Sequence, residues 1–206
     1  MLKNLAKKNL VNILQMIYKK QIPLTHQKTY LKMKKESIIS LLEDKHQELF
    51  NWIDKQPEDS FEKGPEDKWT TGQHIVHLVA SIKQVNKALS YPKFLLKYKF
   101  GSSNREVRSY DEVAKRYQEK LSKNKERAKK VNIAVETPSK AEFKQLLATL
   151  QVQNKKLQHK TKRWKDKDLN TLILPHPLMG KMPIREIIMW TGYHTEHHTT
   201  ILKEKH

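Results

Sequence analysis

Along most of the chain, apolar residues recur at intervals of three and four, the spacing that places them on one face of an α-helix. This pattern predicts helices over about residues 34–55, 70–90, 109–130, 139–164 and 183–204. The connector between the second and third helices has room for one short helical stretch. No convincing β-hairpin and no internal repeat interrupts the series. We therefore expect an all-α fold, a helical bundle.

Local helix-start signals support three of these boundaries. In each, a serine or threonine precedes the helix and a glutamine or glutamate follows three residues later, the signature of a capping box. The three pairs are Thr70 with Gln73, Ser109 with Glu112, and Ser139 with Glu142. Pro183 stands where a first-turn proline belongs, and so predicts the start of the last helix.

The first 32 residues differ from the rest of the chain, since they carry seven lysines and no acidic residue. Leu10, Ile13, Leu14 and Ile17 recur there at helical spacing, but the apolar stripe is short. We predict that residues 1–32 form a basic extension, disordered or present as a loosely docked helix, before a domain over residues 33–206. A basic amphipathic membrane anchor is the alternative.

Composition narrows the class of protein. A chain of 206 residues suits one domain with a substantial core. It contains no cysteine, which excludes disulfides, thiolate metal sites and a cysteine nucleophile. That absence is compatible with a reducing compartment, and we predict a cytoplasmic protein. No stretch approaches the length of apolar sequence that a membrane span needs, so none is expected.

The net charge of +19 raises the question of nucleic-acid binding. Only six of the 41 basic residues are arginine, however. Arginine is the better bidentate ligand for guanine edges and phosphates, so a lysine-dominated surface favours general solvation over designed recognition. We expect no specific nucleic-acid partner.

The last predicted helix carries histidines among apolar residues. Its apolar stripe comprises Ile184, Ile187, Ile188, Thr191, His194, His198, Ile201 and Leu202. His194 and His198 are four residues apart, so their imidazoles can converge on one metal ion. His194 and His197 could nearly do the same, and spacing alone does not choose between them. A third ligand would have to come from another helix.

The second predicted helix offers two candidates for that ligand. His74 flanks the apolar stripe of the helix, whereas His77 lies on a different face beside the small residues Ala80 and Ser81. Small and polar neighbours can line a pocket as readily as face water. The residues themselves therefore leave the choice between His74 and His77 open.

Several stretches resemble the DinB-like (YfiT-related) metalloprotein superfamily. Trp69-Thr70 is followed by a histidine eight residues after the tryptophan, and the last helix carries His-x-x-x-His. One branch of the superfamily is especially similar in the stretches RSYDEVAKRYQEKL, LPHPLMGKMPIREII and YHTEHH. The resemblance covers about residues 34–204. It implies a four-helix bundle of DinB/YfiT type with an additional connecting helix.

The resemblance also implies a metal site. In the superfamily, three histidines at one end of the bundle hold a divalent metal, nickel or zinc, and they match His77, His194 and His198. His74 and His197 are then left with supporting or structural roles. His176, in a loop between two prolines, is an outside candidate for acid–base chemistry or for support of the ligands.

Some members of the superfamily transfer low-molecular-weight thiols, such as bacillithiol or mycothiol, onto electrophiles, and others are thiol-dependent isomerases. The resemblance therefore implies a small-molecule substrate and a thiol cosubstrate, which must come from outside because this chain has no cysteine. Hydrolysis by metal-bound hydroxide is the competing chemistry. A stress-related protein that binds metal or nucleic acid without catalysis is the non-enzyme alternative. The sequence leaves a homodimer open.

Overall fold

The computed structural model describes residues 33–57, 59–66, 68–124 and 135–205. In this part of the chain there are seven α-helices: α1 (Lys35–Ile53), α2 (Thr71–Ala88), α3 (Lys93–Phe100), α4 (Tyr110–Lys123), α5 (Lys140–Arg163), α6 (Asp166–Thr171) and α7 (Ile184–Lys205). A short 3-10 helix covers Ser60–Glu62, and a hairpin joins β1 (Ile173–His176) to β2 (Gly180–Pro183). The predicted extension, residues 1–32, lies outside the described residues.

The four long helices form a bundle. Helix α1 packs against α7 and α5, α2 packs against the same two helices, and α4 covers one side of α7. The predicted apolar stripes fill the interior, with Ile38 and Leu42 of α1 and Ile75 of α2 fully buried. The expected helical bundle is confirmed. Within the described residues, no helix combines the length and the apolar character needed to cross a membrane.

All three predicted capping boxes form. Thr70 Oγ1 accepts a hydrogen bond from the backbone N–H of Gln73 at 3.2 Å, and the Gln73 side chain accepts one from the Thr70 N–H at 2.8 Å. The equivalent pairs cap α4 and α5. Because these side chains bond the free backbone N–H groups of the first turn, the three helices begin where the capping boxes predict. The predicted end of the third helix, near residue 130, lies outside the described residues, and α4 is described to Lys123.

The prediction that the chain contains no β-hairpin is wrong. Ile173 pairs with Pro183 and His176 with Gly180 in a two-stranded antiparallel ladder. Gly180 has a φ of 77°, in the left-handed region that favours glycine. Strands of four residues that contain prolines show too little alternation to be read from the pattern. Pro183 accordingly ends β2, immediately before α7.

Ion pairs made by two buried side chains, Arg185 and Glu186, fix the start of α7 to the surrounding loops. Arg185 is 2% exposed and donates to Asn170 Oδ1 at 2.6 Å, to the Met33 carbonyl at 2.8 Å, and to Asp166. The next residue, Glu186, is fully buried and accepts from two arginines of the segment that precedes α4. These contacts orient the helix that carries His194 and His198.

Candidate metal centre

Helices α2 and α7 bring three histidines together in the bundle interior. His194 and His198 lie on the buried face of α7 and are 2% and 6% exposed. His77 of α2 is half-buried and faces them. Among the described residues, these three form the one group of histidines or carboxylates whose ligand atoms lie within 4.8 Å of one another.

The three rings meet through their Nε2 atoms. His77 Nε2 lies 3.1 Å from His194 Nε2, and His198 Nε2 lies 3.1 Å from the same atom. Two nitrogens bound to one zinc ion at about 2.0–2.1 Å in tetrahedral geometry lie about 3.3 Å apart. The observed separations are close to that value. The three side chains could therefore hold a metal ion with little rearrangement.

Burial keeps these imidazoles uncharged at neutral pH. It lowers the pKa of His77 to about 4, and the pKa values of His194 and His198 lie well below the ordinary histidine range, chiefly because both are fully enclosed. The neighbouring histidines lower them further. Neutral imidazole is the form that binds a metal, because each ring then has an unprotonated nitrogen. The donor set thus fits a divalent cation of the nickel or zinc type.

Two polar side chains lie within hydrogen-bond distance of the Nδ1 atoms of His194 and His198. His74 Nδ1 lies 2.7 Å from His198 Nδ1, and Ser81 Oγ lies 3.4 Å from His194 Nδ1. If Nε2 of each α7 histidine is the unprotonated nitrogen, its Nδ1 carries the hydrogen. The Nδ1–H of His198 then donates to His74 Nδ1, and that of His194 donates to Ser81 Oγ. Partners of this kind fix the tautomer and the ring orientation of a metal-binding histidine. His74 therefore lies behind the cluster, as a support for His198.

Replacing His74 by phenylalanine is expected to weaken metal binding while leaving one ion per chain at saturation. The ring volume is kept but the bond to His198 Nδ1 is lost, and loss of such a partner costs about 10- to 100-fold in affinity. Competition with a chromogenic chelator measures the change. His159→Phe, at an exposed position on α5, is the matched control. An affinity equal to wild type in the His74 variant would contradict the assigned role.

Aromatic rings enclose the cluster. Trp190 stacks on His194 with ring centroids 4.6 Å apart and an angle of 19° between the planes. Trp69, just before α2, lies 5.0 Å from the His77 ring and 6.0 Å from the His198 ring. Both tryptophans are at least nine-tenths buried. They restrict solvent around the three Nε2 atoms, which strengthens electrostatic interactions at this point.

The other two predicted supporting histidines lie outside the convergent group. The half-buried His197 packs its ring 5.3 Å from that of His198 and 5.7 Å from that of Tyr117. His176, in β1, accepts hydrogen bonds at Nδ1 from the backbone amides of Leu178 and Met179. The His176 ring lies edge-on to Trp190, with 4.2 Å between ring centroids, so Trp190 separates it from His194. This placement favours a structural role over acid–base chemistry for His176.

Sequence reasoning overlooked one buried histidine. His46 of α1 is 1% exposed and donates from Nδ1 to the Leu42 carbonyl at 2.7 Å. Its position four residues after Leu42 on the buried stripe could have revealed it. Glu196, which lies between His194 and His198 in the sequence, accepts from Tyr110 Oη and pairs with Lys45 Nζ at 3.0 Å. Neither residue joins the convergent group.

A separate groove between α2 and α5 does not coincide with the histidines. It has a volume of about 590 Å³ and is lined by Val76, Lys83, Leu146 and residues 135–138, among others. None of the three convergent histidines lines it. The convergent histidines therefore form a site apart from this groove.

Comparison with known proteins agrees with this architecture. The family model described as the DinB superfamily matches residues 38–202, which include all three convergent histidines. No curated protein and no solved structure matches the chain. The resemblance seen in the motifs is thus confirmed over most of the sequence. The chain belongs to the DinB superfamily.

Proposed function

We propose that the protein is a metal-dependent transferase that joins a low-molecular-weight thiol to an electrophile. The observation that carries the proposal is the convergence of three uncharged, enclosed Nε2 atoms from His77, His194 and His198. Three protein ligands leave at least one position for a substrate, as in catalytic metal sites and unlike closed structural ones. Nickel and zinc both suit these ligands.

The surroundings of the cluster favour a thiol over water as the nucleophile. A divalent cation held by these histidines would act as a Lewis acid and lower the pKa of a bound thiol or water. A free thiol has a pKa of about 8.5, as cysteine does, so it needs a far smaller shift than water at 15.7. Among the described residues, the side chains whose electrostatic interactions lower the pKa values of the three ligands are all histidines. A metal-bound thiol needs no carboxylate base to lose its proton near neutral pH.

The protein's own residues have three tasks in this proposal. The neutral imidazoles bind without cancelling the charge of the cation. His74 and Ser81 hold two of them in orientation from behind. Trp69 and Trp190 limit the entry of water, which would compete with the thiol for the electrophile. The thiol itself must be a cosubstrate, since the chain has no cysteine.

The test supplies purified protein with nickel or zinc, a small thiol and a haloalkane. In the expected reaction the S–H and carbon–halogen bonds break, a carbon–sulfur bond forms, and the proton and halide leave to solvent. We expect thioether and halide in equal amounts, only when thiol and metal are both present, and a chelator should stop the reaction. Halide release without thiol would instead establish hydrolysis. The proposal would be contradicted if the metal-loaded protein catalysed neither thiol transfer nor hydrolysis across a panel of thiols and electrophiles.

A further inference from the structure

Exposed apolar side chains are concentrated at one place on the bundle. Of the five large hydrophobic residues exposed in the described part of the chain, four lie between residues 91 and 98. They are Tyr91, Phe94, Leu95 and Tyr98, with exposed fractions of 45%, 75%, 38% and 90%. A concentration of this kind marks an interaction surface, whereas single exposed apolar residues are ordinary.

The local structure explains why these side chains project outward. Phe94, Leu95 and Tyr98 are three and four positions apart, so they share the outer face of α3, and Tyr91 lies just before its N-cap residue, Pro92. Leu96, only 2% exposed, anchors the opposite face in the core. Helix α3 thus packs against the core through Leu96, while its aromatic face is exposed.

Basic residues surround this face. Lys97 and Lys99 are exposed beside the aromatic side chains. Lys93 is exposed as well, but it pairs with Asp168 at 2.6 Å, so it is not counted here. The sequence has no acidic residue between Asp67 and Glu106. We call Tyr91, Phe94, Leu95 and Tyr98 with Lys97 and Lys99 the aromatic–lysine patch. Its partner must accept apolar side chains and carry negative charge.

We propose that the aromatic–lysine patch docks the protein on the surface of an anionic lipid bilayer. Aromatic and aliphatic side chains insert at the boundary between headgroups and acyl chains, while lysines beside them attract anionic headgroups. The two most exposed side chains, Phe94 and Tyr98, are four residues apart on α3, so both can insert from one helix face. The attachment is peripheral, in keeping with the absence of any spanning helix among the described residues.

A second copy of the chain fits this surface less well. Fully exposed aromatic side chains offer about 150–250 Å² each, so Tyr91, Phe94 and Tyr98, at their exposed fractions, supply about 400 Å², and Leu95 adds less than one such side chain. A stable interface buries about 800 Å² on each partner. A two-fold contact through the patch would also place the lysines of both copies in one interface. Nucleic acid is disfavoured because the patch contains no arginine and forms no groove.

The test is sedimentation of the full chain with vesicles. We expect binding to vesicles that contain about one-third phosphatidylserine in phosphatidylcholine, little binding to phosphatidylcholine alone, and weaker binding as salt rises from about 0.1 to 0.5 M. The double variant Phe94→Ala/Tyr98→Ala should bind roughly tenfold or more weakly, because two buried aromatic groups are lost. Both positions are exposed, so circular dichroism should be unchanged.

Val152→Ala provides the matched control, since Val152 is 63% exposed on α5, outside the patch. It should bind vesicles as the wild type does. Failure of the wild type to bind anionic vesicles overturns the proposal. So does a double variant that binds as well as the wild type, which would place the lipid affinity elsewhere in the chain. A double variant that converts a dimer to a monomer would assign the patch to self-association instead.

Discussion

Alanine at His194 or His198 is expected to remove the metal and, with it, the proposed thiol-transfer activity. Each substitution deletes one of only three protein ligands, and two imidazoles four residues apart leave the ion underligated. His77→Ala should act in the same direction. Elemental analysis after dialysis should find about one ion per chain in wild type and almost none in these variants. Activity should fall by orders of magnitude, because the Lewis acid itself is lost.

His197→Ala is the matched control for this experiment. It removes an imidazole from the same helix, directly beside His198, but from outside the convergent group. We expect it to retain metal. Circular dichroism separates metal loss from unfolding, since a folded His198→Ala chain without metal supports coordination and an unfolded one calls for the milder His198→Gln. Metal content equal to wild type in either the His194 or the His198 variant would refute the assignment.

The helices could be predicted because their signals are local. A capping box needs residues only three apart, and an apolar stripe needs only a few turns, so neither depends on the rest of the fold. For this reason the starts of α2, α4 and α5 agree with prediction to within a residue. The hairpin was missed because its stability depends on packing against α3 and α7 more than on its own short strands.

The choice between His74 and His77 shows where local signals end. Both residues lie on α2 within one turn, and the rotation of α2 against α7 decides which ring faces His194. That rotation is set by packing of the whole bundle, which spacing does not report. The family resemblance indicated His77, and the structure places His77 Nε2 beside His194 and His74 behind His198. Coordination itself stays a prediction until metal is measured.

Glu186 could not be singled out from sequence at all, although it is the most completely buried acid among the described residues. It accepts from both terminal nitrogens of Arg105 at 2.6 and 2.8 Å, and from the backbone and side chain of Arg108 at 2.8 and 3.1 Å. These partners lie about 80 positions away in sequence. The network holds the segment before α4 against the start of α7.

Glu186→Ala is therefore expected to destabilise the fold by about 3 kcal/mol, since breaking a buried ion pair from one side leaves its partners uncompensated. This is the low end of the cost of about 3–5 kcal/mol that is typical for breaking a buried ion pair. The Arg105 and Arg108 side chains are 34% and 28% exposed, so they can be hydrated again once Glu186 is removed. Urea titration at neutral pH measures the loss. Glu43→Ala, which breaks an exposed pair with Lys155, should cost less than about 1 kcal/mol. Equal costs for the two would contradict this account.

The same network predicts how stability depends on pH. Burial alone would raise the pKa of Glu186, but the hydrogen bonds from Arg105 and Arg108 outweigh it and hold the pKa below the ordinary value of 4.5. A carboxyl whose pKa is lower in the folded state stabilises the fold fully above its unfolded pKa, and that stabilisation is lost as the pH falls through the folded value.

The stability difference between wild type and Glu186→Gln should thus be constant from neutral pH to about 5 and shrink at lower pH. Urea midpoints measured from pH 7 downward test this. A difference that persists unchanged at a pH low enough to protonate Glu186 would show that the glutamine variant loses stability through packing and not through charge.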